Sequence, residues 1–327
     1  MKILVTGAAG FFGSNLCEHF LKNGHEVVGI DNFNDYYNPK IKEYNIQEFR
    51  HKPNFELYRD DILDHSAMDQ IFEKEGPFHT IVHLAAWAGV TASMEQPEVY
   101  VRNNVEGTVN MAELAVKHKV KNFIYASTSS VYGTNPVPFK EDMCIIDPQS
   151  PYPATKRAAE LLLNTYSINY GLPVTVFRIF NPVGKRLRPD LALPKLIRSA
   201  EFGDEFKVYW PKSEWAKTKR DYCYIGHMFE AIDKVIEKPF DFEIINLGNS
   251  DPTGLGSLFK AVEKVVGKKL NLKVEPKRMG EMIITYADVS KAKKLLGYDP
   301  KTSLEEGIKI FYDWYMQQEN WYKKGKI

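Results

Sequence analysis

The chain opens with an apolar run, Ile3-Leu4-Val5, that passes into Thr6-Gly7-Ala8-Ala9-Gly10-Phe11-Phe12-Gly13, three glycines in the spacing GxxGxxG. An unalternating apolar run followed by such a turn reads as a buried parallel strand feeding a helix. The first glycine permits a bend closed to other residues, the second lets main chain approach a pyrophosphate, and the third lets the helix pack on the strand. Phosphates then rest on the helix N-terminus. A glycine triplet alone is equally an ordinary tight turn, so the surroundings decide.

The surroundings agree. A second apolar strand, Glu26-Val27-Val28-Gly29-Ile30, ends in Asp31, about twenty residues past the glycines, where a carboxylate can accept hydrogen bonds from both hydroxyls of an adenosine ribose. It would also repel a 2′-phosphate, which favours NAD over NADP; the plain alternative is a solvated turn residue. Asp60-Asp61 follows the strand Phe55-Glu56-Leu57-Tyr58, at the carboxyl edge where ligands of open α/β sheets bind. Asp61 there holds an adenine amino group or caps the next helix. His83-Leu84-Ala85-Ala86 ends another strand with small residues that let a cofactor lie against backbone, though packing alone would select the same alanines.

Strand-like and helix-like segments alternate through the first 180 residues. Helices are expected near 11–23, 64–74, 96–118 and 153–170, and strands at 26–30, 54–58, 79–84, 121–126 and 173–180. This alternation predicts an α/β protein, a doubly wound parallel sheet of Rossmann type with helices on both faces. Past Asn181-Pro182 the texture changes to proline-rich and charged loops at 182–194 and 211–221, then a helix near 226–237, a strand at 242–247 and a mostly helical 251–327. The expected division is 1–182 plus about 222–250 as an NAD-binding domain. A smaller, interleaved, mostly helical substrate domain would take about 183–221 plus 251–327.

A length of 327 residues allows one large domain or two modest ones. Net charge is +1 and the sequence pI about 7.7, which argues against nucleic acid or an acidic membrane surface as partner. Cys17, Cys144 and Cys223 form no CxxC pair and no metal-ligand spacing, so no metal is expected and a reducing compartment is the simplest reading. The first strand begins almost at once and no apolar stretch reaches membrane-span length. Neither a signal peptide nor a transmembrane helix is expected, and the predicted location is cytoplasmic. Lys323, Lys324 and Lys326 read as a solvated tail.

The chemistry lies further on. The strand Asn122-Phe123-Ile124-Tyr125-Ala126 runs into Ser127-Thr128-Ser129-Ser130-Val131-Tyr132-Gly133, a hydroxyl cluster at a sheet edge. Tyr152 and Lys156 lie four apart at the start of a helix and so project from one face, and Pro153 suits the first turn. An ammonium near a phenol, like a positively charged nicotinamide, favours the phenolate and draws its pKa from about 10 toward working pH. Tyr152 then becomes a general base. A YxxxK by itself is more often a surface tyrosine beside a solvated lysine; the glycine turn, Asp31 and the hydroxyls reverse that preference.

At these residues the chain resembles an extended short-chain dehydrogenase/reductase of the nucleotide-sugar epimerase and dehydratase branch, over nearly its whole length. The matching stretches are TGAAGFFG (6–13), Asp31, DI (61–62), HLAA (83–86), NNVEGT (103–108), STSSVYG (127–133), YPATK (152–156), RD (220–221) and RMGE with YADVSKAKKLLGY (278–298). The resemblance implies an NAD site formed by Gly7, Gly10, Phe11, Phe12, Gly13, Asp31, Asn32, Asp61, Ile62, Leu84, Ala85, Ala86, Asn103, Tyr152, Lys156 and Phe180. It implies that Lys156 binds the nicotinamide ribose and that Tyr152 and Thr128 contact the sugar hydroxyl being oxidised. The substrate would also meet Ser129, Ser130, Asn181, Arg188, Val208, Tyr209, Arg220 and Arg278. Arg220 and Arg278 are similar to the family's pyrophosphate clamps, a role that two guanidiniums suit by charge and bidentate geometry; Arg278 as a surface charge is the alternative. A homodimer through the helices near 96–118 and 153–170 is implied as well.

Within the branch the residues after Thr128 discriminate. Dehydratases resemble a T-D-E pattern, because eliminating water needs an extra acid and base, and decarboxylases place a glutamate two after the threonine. Ser129 and Ser130 stand in those places, so the site is equipped only to take a hydride and a proton and return them. That implies 4-epimerisation of a nucleotide-diphosphate sugar, most often a UDP-sugar, with NAD regenerated each turnover. Asp31-Asn32-Phe33-Asn34-Asp35-Tyr36-Tyr37, Ala88-Gly89-Val90 and Arg188-Pro189-Asp190 resemble UDP-glucuronate 4-epimerases, where Arg188 would pair with a substrate carboxylate. Several features depart from that pattern around the expected sugar and base pockets: Thr91-Ala92, Asn181-Pro182, Lys185-Arg186-Leu187, the long loop Trp210–Lys219, and Gly226-His227 where an acidic pair is common. Of these, His227 reads as a surface residue. The competing readings are a UDP-glucose/galactose 4-epimerase, a nucleotide-sugar decarboxylase or dehydratase, and a dinucleotide-sensing protein without turnover.

Overall fold

In a computed structural model that describes residues 1–277 and 282–324, strands and helices alternate from the first residues onward. The strands in chain order are β1 (Lys2–Thr6), β2 (Glu26–Ile30), β3 (Phe55–Tyr58), β4 (Thr80–His83), β5 (Asn122–Thr128), β6 (Val174–Ile179), β7 (Asn181–Val183), β8 (Phe206–Val208), β9 (Lys219–Tyr224), β10 (Phe242–Leu247), β11 (Pro252–Gly254), β12 (Leu272–Val274) and β13 (Ile284–Thr285). Seven of them make one sheet in the order β10-β6-β5-β4-β1-β2-β3. The chain starts at β1, winds outward through β2 and β3, then crosses back to β4 on the other side, as the alternation predicts.

The apolar runs explain why this sheet is covered on both faces. Leu4, Val28, Ile81, Phe123, Tyr125, Val174 and Val176 pack in one cluster with Met68, Ile71 and Phe72 of the helix His65–Glu75, Met111 and Leu114 of Gly107–Lys117, and Ala159 and Leu163 of Pro151–Tyr170. Ile3, Val5, Val27, Val82 and Ile124 alternate to the opposite face and are equally buried. Register places the carboxyl ends of the strands side by side. Thr6 stands opposite both Ile30 and His83, Ile30 opposite Tyr58, and Thr128 opposite Ile179.

The chain divides into two compact units, Met1–Thr134 with Cys144–Ile179 and Phe229–Ile245, and Asn135–Met143 with Phe180–Met228 and Asn246–Ile327. The second carries a sheet ordered β11-β9-β13 with β7 on β9, and a separate β12-β8 pair, so short strands accompany its helices. Elsewhere the expected elements differ in detail. The single helix anticipated near 96–118 is Pro97–Val101, a π turn at Arg102–Glu106 closed by Gly107 N–H on the Arg102 carbonyl, and Gly107–Lys117. Lys323 belongs to the helix Asn320–Lys324 and donates to the Met316 carbonyl at 3.1 Å instead of trailing in solvent. No helix among the described residues is long and apolar enough to cross a membrane.

Candidate active site

The glycine turn is fixed by backbone geometry. Gly7 has φ +71°, and a Cβ there would sit 3.0 Å from the Ala85 nitrogen. A Cβ on Gly13 would come within 2.1 Å of the Gly7 carbonyl oxygen, so the helix Phe11–Lys22 can lie against the turn only if residue 13 has no side chain. Gly10 caps that helix in extended conformation, with no side-chain cap and no acidic residue in the first turn, which leaves its positive end to an anion. Phe11 is buried, and Phe12 meets Phe229 edge-on at 5.2 Å.

Asp31 continues β2 beside this turn and is 6% exposed. Its Oδ2 accepts from the Ala9 N–H at 3.1 Å, and its Oδ1 from the Phe33 N–H at 2.8 Å and the Lys42 ammonium at 3.4 Å. The Asn32 carboxamide donates to Asp61 Oδ2 at 2.9 Å, bringing two candidate cofactor residues together, while Asp61 Oδ1 accepts from the Leu63 N–H. Capping of the next helix falls to Asp64, which accepts from the Ala67 N–H at 3.0 Å. Ile62 packs where a Cβ on Gly107 would be 2.5 Å away.

A buried polar chain links the turn to the strand end at His83. The Leu84 and Ala85 N–H groups both donate to Thr6 Oγ1 at 3.1 Å, so the Thr6 hydroxyl proton goes to His83 Nδ1 at 2.8 Å. The other ring nitrogen then donates to Thr108 Oγ1 at 3.1 Å, and Thr108 donates to the Asn104 carbonyl at 2.7 Å. Burial, with the Lys156 charge adding to it, pushes the His83 pKa down to about 3 and keeps the ring neutral. Leu84, Ala85 and Ala86 beyond it are half-buried and present backbone. Asn103 turns its carboxamide onto the Val99 carbonyl at 2.9 Å, whereas Asn104, singled out by no sequence argument, is 1% exposed. Asn104 holds both the N–H and the carbonyl of Trp87, and donates to Thr155, whose hydroxyl donates to the Tyr152 carbonyl.

Tyr152 and Lys156 occupy the start of the helix Pro151–Tyr170, with prolines in its first turn. The ring of Tyr152 is half-exposed and meets Tyr100 at 6.2 Å. Lys156 is 4% exposed; its ammonium donates to the Ala126 carbonyl at 2.6 Å and lies 4.5 Å over the Tyr125 ring. Burial lowers its pKa to about 7, and Glu160, one turn on, works against that shift. Glu160 is fully buried: it accepts from Arg178 Nε and Nη2 at 3.1 and 2.8 Å, from Arg157 at 2.9 Å and from the Ser127 hydroxyl. This ionic group is tied to Ser127, the residue before Thr128, and Thr128 Oγ1 accepts from the Ser130 N–H at 3.2 Å and keeps its own proton to donate. Ser129 and Ser130 follow on a short 3₁₀ turn. No carboxylate stands between Thr128 and Tyr132.

The remaining candidates lie in the second unit. Phe180 is buried, and Asn181 begins β7. Arg188 already engages Asp190 in a two-pronged pair, Nε to Oδ1 at 3.0 Å and Nη2 to Oδ2 at 2.8 Å. Val208 is buried at the end of β8 and Tyr209 follows it. Arg220 on β9 donates to the carbonyls of Lys219 and Ile283, while the neighbouring Asp221 is fully buried and accepts from the Asn249, Ser250 and Ala287 N–H groups. Arg278 lies outside the described residues. His227 is an anchor for a loop: its Nε2 accepts from the Lys301 and Thr302 N–H groups at 3.2 Å. The long loop closes on Trp215, which donates to the Trp210 carbonyl and packs on Phe259 at 4.9 Å. Among the described residues no group of three or more His, Cys, Asp or Glu is placed to hold a metal ion.

The sheet order and covered faces define a Rossmann-type α/β protein, and the glycine turn fits a dinucleotide because only glycines at 7 and 13 let the turn, the helix start and the β4 end pack this closely around the uncapped helix N-terminus. Residues 3–248 match the model of the NAD dependent epimerase/dehydratase family. The UDP-glucuronate 4-epimerase of Thermodesulfobacterium geofontis is 38% identical over 312 residues, 95% of each chain. Among solved structures, UDP-glucuronic acid 4-epimerase from Bacillus cereus, in complex with UDP-glucuronic acid and NAD, superposes with a TM-score of 0.90 at 34% identity, covering 97% of this chain and 99% of that one. UDP-glucose 4-epimerase from Thermotoga maritima, with UDP-glucose, gives 0.85 at 30% identity over the same shares. The chain belongs to the NAD dependent epimerase/dehydratase family.

Proposed function

We propose that this chain is an NAD-dependent nucleotide-sugar 4-epimerase acting on UDP-glucuronate. The observation that carries the reading is the start of the helix Pro151–Tyr170, where Lys156 is buried against the Ala126 carbonyl, two residues before Thr128 on β5, together with the 3₁₀ turn after Thr128, where Ser129 and Ser130 stand in place of carboxylates. The relatives named for UDP-glucuronate support the substrate. When bound, the dinucleotide supplies a hydride acceptor at carbon 4 and returns the hydride there. The protein's part is proton handling and positioning. Tyr152 takes the proton of the sugar 4-hydroxyl at its phenolic oxygen and later gives it back, and Lys156 stabilises the phenolate. The Thr128 hydroxyl donates to the same sugar oxygen. With no acid and base beside Thr128, the ketone has no protein-assisted route to elimination and turns over to be reduced on its other face.

Within this reading Gly7, Gly10, Gly13 and the helix start hold the pyrophosphate, Asp31 the adenosine ribose, and Leu84, Ala85 and Ala86 line the cofactor, with the nucleotide sugar taken up by the second unit. A cytoplasmic homodimer is part of the proposal; exposed Val101, Leu161, Ile168 and Tyr170 on the helices named for contact support it. The pairing of Arg188 with Asp190 supports a second substrate, a neutral UDP-hexose, because part of that guanidinium is already used. The test is incubation of purified protein with UDP-glucuronate, UDP-galacturonate, UDP-glucose and UDP-galactose, with epimers separated by chromatography. Interconversion of the two uronates supports the first reading, and interconversion of the two hexoses alone supports the second. Carbon dioxide release or an accumulating 4-keto product overturns both.

A further inference from the structure

The helix Pro39–Ile46, which the sequence does not announce, turns Ile41, Lys42, Asn45 and Ile46 inward. Lys42 and Asn45 reach two different parts of the same cradle. The Asn45 carboxamide donates to the Ala9 carbonyl at 3.0 Å, in the middle of the glycine turn, while the Ala9 N–H is held by Asp31. The Lys42 ammonium lies 3.4 Å from Asp31 Oδ1 and donates to Asn34 Oδ1 at 2.9 Å, and both members of the ion pair are nearly inaccessible, with side chains 6% and 5% exposed. Arg59, half-exposed, stacks 4.1 Å over Phe33 and pairs with Glu43, so it reaches Asp31 by charge at longer range, whereas Lys42 is the cation in direct contact.

Resting on the reading of Asp31 as the adenosine-ribose acceptor, we propose that Lys42 determines how strictly this chain discriminates between NAD and NADP. A buried carboxylate with no partner would reject a 2′-phosphate by charge. Lys42 offsets that charge while holding Asp31 aimed at the ribose diol, so the discrimination is milder than the acidic residue alone implies. The same ammonium is therefore a specificity determinant as well as a brace.

The experiment equilibrates the as-purified protein with a mixture of NAD and excess NADP, then releases the bound dinucleotides with acid and counts them by chromatography. Lys42→Met is expected to lower the ratio of bound NADP to bound NAD by about tenfold, and Lys42→Arg to restore it to within about threefold of the parent. A purely structural brace would weaken both dinucleotides together. An unchanged ratio in a folded Lys42→Met protein, or a ratio that Lys42→Arg does not restore, overturns the inference. Asp31→Asn separates it from its premise: undiminished NAD binding there removes Asp31 from the ribose, whatever Lys42 does.

Discussion

The carboxyl edge of the seven-stranded sheet and the arginines of the second unit, Arg188 in a loop and Arg220 on β9, treat charge and hydrogen bonding differently. At the sheet edge, polar groups are buried and joined in chains: Thr6 to His83 to Thr108 to Asn104, then to Thr155 and Tyr152, with Glu160 and Arg178 beside Ser127. In the second unit Arg188 pairs with a residue two places away and Arg220 with carbonyls of its own and a neighbouring strand. A buried network cannot lose one member without leaving another unsatisfied, whereas a local, solvent-screened pair can be changed at small cost. Under the proposed function, the groups assigned to proton handling are built into the sheet, and those assigned to sugar selection are held by contacts that substitution can alter at smaller cost.

The sharpest way to break this contrast is at the phenol. Tyr152→Phe is expected to lower kcat by about 10³-fold while NAD still co-purifies, since it removes the proton carrier and leaves the cradle intact. Turnover at the parental rate would show that the sheet edge does not do the chemistry. Next comes stability. Glu160→Gln leaves Arg178 with an uncompensated buried charge and should cost about 3–5 kcal/mol in urea unfolding. Asp190→Asn breaks a partly exposed pair between near neighbours, leaving Arg188 within reach of water, and should cost about 1 kcal/mol. Equal costs would erase the distinction between the two regions.

A smaller effect is expected from pH. The His83 pKa is depressed in the folded protein, from 6.5 to about 3, so the stability this ring contributes is complete above pH 6.5 and drains away as the pH falls toward 3. Between pH 6.5 and 5 that amounts to about 2 kcal/mol. His83→Asn, already less stable at neutral pH, should show a correspondingly flatter decline over the same interval, read from unfolding curves at each pH. Parallel declines would mean that His83 is not held neutral.

Much of the sheet-edge half was legible in the sequence because its signals are local. An apolar run, a glycine turn and an acid at a strand end carry their meaning within a few residues, and a parallel sheet with helices on both faces follows from strand and helix alternation. What escaped depends on partners far along the chain. Glu160 and Arg178, or Thr6 and His83, reveal nothing until the fold brings them together. The helix Pro39–Ile46 has little apolar periodicity; its asparagine cap and inward lysine make sense only beside Asp31. The π turn escaped because Asn104 reads as an ordinary helical residue until its carboxamide is seen on Trp87. In the second unit the arginines were legible as charges, but the engagement of Arg188 by Asp190 was not used, although the two stand in one short motif. His227 read as a surface residue, and what the sequence did not show is that from there it ties down residues 301 and 302.

In the proposed reaction a hydride leaves carbon 4 of the sugar and comes back to the same carbon without visiting solvent. UDP-glucuronate carrying deuterium at carbon 4, turned over by the purified protein in ordinary water, tests it by mass and NMR analysis of the product. The account predicts UDP-galacturonate with the deuterium retained at carbon 4. Product that has lost its label to water, or a labelled sugar that never inverts, would contradict it.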